Sequence, residues 1–189
     1  LAVSVAGAKE IGGVNLPVGY YLHPGHTWLK VEDQNHVRIG MDDFASRLLG
    51  PPDEIEPRLI GKQVRPGDKL FSIFRDGNLA EFPSPVNGVV TDTNASLRRQ
   101  PELLNQEPYT NGWVLRLHCA NLRQDLRGLM FMDSAESFMN GRVETLYDFL
   151  EKETGLMAAD GGSLGSDLYG NLPDLSWNRL LTEFISAET

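Results

Sequence analysis

Cysteine is nearly absent: the 189 residues include one, Cys119, so an internal disulfide is excluded and no thiolate cluster is available for zinc or an iron–sulfur centre. That scarcity fits a reducing compartment, and the expected location is the cytoplasm. The first residue is Leu1, which leaves a targeting segment ahead of it open. Long apolar runs are missing too, and nothing approaches the roughly eighteen residues that a membrane-spanning helix needs. Basic residues are outnumbered, 17 Lys and Arg against 26 Asp and Glu, which leaves a net charge of −9. Such a field disfavours nucleic acid and anionic membranes as partners and suits a basic surface on another protein. What remains is ordinary globular composition: 41% apolar residues argue against disorder, and the length is enough for one cored domain and an appendage.

The chain is organised around residues 65–90, RPGDKLFSIFRDGNLAEFPSPVNGVV. Two β-like runs, 70–74 and 79–82, are joined at Asp76 and Gly77, a dipeptide that tolerates the positive φ both central residues of a type I′ turn require. Turns at Pro66, Gly67 and Asp68 and at residues 84–88 bound this hairpin. Upstream, residues 1–19 read as a lead-in arm. Strand patterns follow at 27–31 and 37–39, with a turn at 33–35. Asp42 and Asp43 open a short helix with Phe44, Leu48 and Leu49 on one face, ended by Gly50, Pro51 and Pro52. Residues 54–59 and 62–64 read as sheet-edge pieces, 88–93 as a strand, 97–104 as a helical turn interrupted at Pro101, and 113–117 as a closing strand. Many short strands between Gly and Pro turns predict a mainly β barrel or sandwich.

From Asp133 the period turns helical, with Ala135, Phe138 and Met139 on one face and Val143, Leu146, Tyr147 and Leu150 forming a second stripe. Asn140 and Gly141 are expected to break this helix. Residues 158–167 read as a loop, and 174–188 as an amphipathic helix carrying Trp177, Leu180, Leu181, Phe184 and Ile185. That helix either docks on the chain's own body or forms a homo-oligomer or partner contact.

The hairpin with its flanking turns resembles the biotinyl/lipoyl-carrier fold, and more narrowly the H protein family of the glycine cleavage system. The likeness extends through HTWLKVED (26–33), VRIGMDDFA (37–45), NASL (94–97), PELLNQEPY (101–109) and GWVL (112–115), in order over roughly residues 20–118. It implies a barrel-sandwich hybrid, a flattened β-barrel, over residues 20–132, preceded by the arm at 1–19. A helical segment at 133–154 and the Gly-rich loop and amphipathic helix at 155–189 follow.

In that family the hairpin tip carries a lysine that accepts lipoate, ten residues after the glycine of the Gly-Asp turn and seven before the serine of Ser-Pro-Val. Both counts, from Gly67 and from Ser84, arrive at Gly77. The chain's lysines are Lys9, Lys30, Lys62, Lys69 and Lys152, none of them at the tip, and amide attachment needs an exposed amine. The expectation is therefore a non-enzymatic, H-protein-like binding, scaffold or regulatory module without catalytic residues or a bound cofactor, lipoate included. Arg75, Asp76, Gly77 and Asn78 are its candidate partner contacts, and other proteins, among them ones that engage lipoyl carriers, its partners. The alternatives are a working lipoyl carrier of aminomethyl groups in glycine decarboxylation and a small-molecule domain using the cleft of the former arm.

Other chemistry is thinner. His23, His26 and His36 lack a completing ligand, so no metal is expected. Residues 161–166 lack the strand and the Lys-Ser/Thr ending of a phosphate loop. Cys119 lies in an alternating strand and reads as a half-buried structural thiol.

Overall fold

The computed structural model describes residues 7–155 and 164–186. It opens with β1 (Lys9–Ile11) and β2 (Val14–Leu16), a hairpin turning at Gly12 and Gly13. The expected arm is thus, from its described part on, a paired element, because Ile11, Val14 and Leu16 have a core to enter. Asp43 accepts the Asn15 N–H at 2.8 Å, and the buried Tyr109 hydroxyl donates to the Asn15 carbonyl at 2.9 Å while accepting the Asp43 N–H at 2.8 Å. One tyrosine ties the β2 backbone to the start of the first helix.

The chain continues through β3 (Tyr21–Leu22), β4 (Thr27–Val31) and β5 (His36–Met41), then α1 (Asp43–Leu49). Asp42 caps α1 by accepting from the Ala45 N–H, and Gly50 ends it at φ 72°. Next come β6 (Glu54–Pro57), β7 (Gln63–Val64), β8 (Lys69–Arg75), β9 (Asn78–Pro83) and β10 (Gly88–Thr93). Two four-residue helices, α2 (Ser96–Arg99) and α3 (Leu103–Gln106), lead to β11 (Leu115–His118), α4 (Leu122–Leu126) and α5 (Asp133–Thr154).

The described strands form three sheets: β1-β2, β3-β4-β5-β11-β10-β7, and β6-β8-β9. One continuous apolar core joins them, with Trp28, Leu29, Ile39, Phe71, Phe82 and Leu117 fully buried. The fold is mainly β with helical additions, as expected, but its sheets stay separate and do not close into a continuous barrel.

Helix α5 runs unbroken through Asn140 and Gly141, against the expected interruption. Its buried stripe, Ala135, Met139, Val143, Leu146 and Phe149, crosses that point without a change of face. Docking five side chains outweighs the roughly 1 kcal/mol that an internal glycine costs relative to alanine.

Residues 156–163, most of the expected loop, and residues 187–189 lie outside the described residues. Beyond them α6 (Leu168–Asn171) and α7 (Trp177–Leu180) follow, and α7 widens into a π-helical turn at Leu181–Ile185. Trp177, Leu180, Phe184 and Ile185 are buried on the chain's own body, Phe184 with its ring 5.9 Å from Phe44 and 5.2 Å from Phe149. The homo-oligomer considered for this segment therefore loses its apolar contact face, which is already filled in cis.

Candidate docking face at the hairpin tip

Strands β8 and β9 pair in register from Phe71↔Phe82 to Arg75↔Asn78, and the two residues between adopt φ 52° (Asp76) and 78° (Gly77). Positive φ at both is the type I′ geometry that an Asp-Gly pair favours. The Asp76 N–H donates to the Asp53 carboxylate at 2.8 Å. No heavy atom lies within 4 Å of where a Cβ at Gly77 would stand, so the tip itself is open.

Its flanks are not. Arg75, the last residue of β8, has a side chain 13% exposed and makes a two-pronged ion pair with Asp167, at 2.6 and 2.8 Å. The same guanidinium donates to the Leu49 carbonyl at 2.7 Å and lies over the Tyr169 ring, 5.0 Å from its centroid. Asn78 donates to the Tyr169 hydroxyl at 3.2 Å, and the Trp177 indole N–H donates to the Leu79 carbonyl at 3.0 Å. Nearby, Arg47 donates to the Leu164 carbonyl and Asn105 to the Ser166 carbonyl. Residues 164–177 thus lie against the hairpin and the end of α1.

Electrostatics agree with the geometry. The hydrogen bond to Asp167 raises the Arg75 guanidinium further above its already high range, despite partial burial. Burial pulls the Asp167 carboxyl upward, but hydrogen bonds from Arg75 and the Gly170 N–H outweigh it and leave it below the usual carboxylate range. Two glycines make room for this pair. A Cβ at Gly50 or at Gly170 would run into both the Asp167 carboxylate and the Arg75 guanidinium.

Of the four residues singled out from sequence, Asp76 and Gly77 are exposed, while Arg75 and Asn78 are engaged by the C-terminal segment. The sequence reading missed Asp167 and Tyr169 as their partners. It placed Trp177 on an amphipathic helix without locating its dock.

The other candidates do not converge. His26 is fully buried, donating from Nδ1 to Asp42 at 2.8 Å and stacked on Phe44; His23 Nδ1 accepts the Gly25 N–H; His36 pairs with Asp33. Among the described residues no three His, Cys, Asp or Glu side chains are grouped to hold a metal. The Cys119 thiol is fully buried, and burial pushes it up to about 12, so it stays protonated and inert at neutral pH. Lys69 pairs with Pro83 at the end of the hairpin away from the tip, Lys9 is ion-paired to Glu136, and Lys30 lies over the Tyr20 ring.

Residues 20–142 match the family model described as glycine cleavage H-protein. A probable glycine cleavage system H protein of Thermococcus gammatolerans is 35% identical over 130 residues, which cover 69% of this chain and 96% of that protein. The glycine cleavage system H protein of Listeria monocytogenes is 33% identical over 127 residues, covering 67% of this chain and all of that protein. A crystal structure of such an H protein from Mycobacterium marinum superposes with a TM-score of 0.56 at 17% identity, over 67% of this chain and 99% of that one, which shows a shared fold. The family match stops before the end of α5 and does not reach the segment that lies against the tip. By residues, spacing and fold, the chain belongs to the glycine cleavage H-protein family.

Proposed function

We propose that this chain is an H-protein module that works by docking to other proteins and not by carrying lipoate on its hairpin. Family members act as carriers within a set of enzymes and not as catalysts themselves, so protein recognition is the part of the role that needs no arm. The observation that carries the reading is Gly77, at the position where the family's lysine is expected, on a turn whose register is intact. Pairing is unbroken from Phe71↔Phe82 to the tip, so no bulge there displaces a lysine, and the one register shift of this strand pair lies between Lys69 and Phe71 at its other end.

The names of the relatives back a second reading more directly: a working lipoyl carrier of the glycine cleavage system. It requires an amine elsewhere, and the lysine nearest in sequence, Lys69, stands at the far end of β8. A third reading, a small-molecule site beside the tip, competes with residues 164–177, which lie on that face.

Intact mass of the protein from its own cells, with peptide mapping across residues 70–85, decides among them. An unmodified chain is the expected result. A lipoyl or octanoyl adduct on any residue restores the carrier reading and overturns the docking one.

A further inference from the structure

Between Leu164 and Leu175 no residue of the C-terminal segment is buried, and its regular structure there is the four-residue α6. This stretch packs on the core through the half-buried Leu168, Tyr169 and Leu172 and leads into the buried Leu175 and Trp177. It is held by chemistry that a separate chain can also offer: a carboxylate gripped by Arg75, an aromatic ring over the guanidinium whose hydroxyl meets Asn78, and an indole N–H on the Leu79 carbonyl. Strand β9 is the edge of its sheet, so that carbonyl faces outward, as edge-strand groups do when they accept a partner. Gly50 and Gly170 keep the volume around the Arg75 pair free of side chains, and Gly50 belongs to the body. The cradle is therefore built partly into the receiving surface.

We propose that the face made by Arg75, Asn78, Leu79 and the end of α1 is a peptide-docking site. Residues 166–177 are its resident occupant, and an acidic, aromatic segment of a partner protein displaces them. The inference rests on the docking reading above and adds its regulation: the module is closed in cis until a competitor with a carboxylate and a neighbouring aromatic ring arrives.

The test uses the full chain carrying Asp167→Asn, followed by hydrogen exchange and by titration with a synthetic peptide of residues 164–178. Losing the two-pronged ion pair is expected to speed amide exchange across 166–177 by about 10-fold or more while β8, β9 and the core strands keep theirs. The peptide should then bind the variant about 10-fold more tightly than the unaltered chain, and a peptide with the same Asp→Asn change should lose that gain. Unchanged exchange across 166–177 in the variant, or a loosened segment with no peptide binding to either chain, overturns the inference. A lipoyl mass on the chain would instead count against the docking reading alone, because peptide capture by the variant does not depend on it.

Discussion

Arg75 and Asp167 set each other's protonation behaviour, and the sign can be worked out. The folded-state value of the Asp167 carboxyl lies below its ordinary 3.8, so the stability it contributes is fully present above the ordinary range and is lost as pH falls through the lowered folded value. An NMR titration of the Asp167 side-chain carbonyl should give a midpoint below 3.8. In Arg75→Gln the main lowering partner is gone while burial remains, and the midpoint should move up to the ordinary range or beyond it. A midpoint that ignores the substitution would show that the pair does not form in solution. Sequence pattern signalled Arg75 as a tip residue but not its partner 92 positions away. Periodicity assigns a face to an element and says nothing of where that face lands.

At the scale of elements, α5 offers a clean comparison. Gly141 lies inside the helix with open space where a Cβ would stand, so Gly141→Ala gains helix propensity without a clash. Stability should rise by about 0.5–1 kcal/mol, read as a higher urea midpoint with an unchanged slope. In the last element Phe184 is fully buried against two other rings, and Phe184→Ala should cost about 3–5 kcal/mol by the same measurement. The hairpin, α1 and its cap were legible in the sequence because Asp-Gly, Asp42 and Gly50 are local signals with local mechanisms. The break expected at Asn140 and Gly141 was a true local preference overridden by the stripe beneath it. The β1-β2 hairpin was missed because two three-residue strands are too short for an alternation to register, although the Gly12-Gly13 pair was a turn signal in plain view.

For the whole molecule, the net charge of −9 works against an acidic competitor. The resident segment escapes this repulsion because it is tethered, and tethering makes its docking an intramolecular event that a free peptide must outcompete. A free acidic peptide must approach through the field before Arg75 can hold it. Its association rate with the Asp167→Asn chain should therefore rise as salt goes from about 0.01 M to about 0.15 M, where the screening length falls from about 30 to about 8 Å. Stopped-flow mixing with a labelled peptide checks this, and a rate that falls over that interval would mean that local attraction at the tip dominates the approach.

The two glycines around the ion pair also bear on which sequences this fold permits. At position 50 any side chain meets both a positive φ and the paired charges, and at position 170 it meets the charges. Position 77, with open space around it, faces only the backbone term. A saturation library selected for folding should therefore admit far more substitutions at 77 than at 50. If Arg75 and Asp167 are removed together, 170 should become permissive while 50 stays restricted, so that the tolerance of one distant glycine reports whether the C-terminal segment is seated.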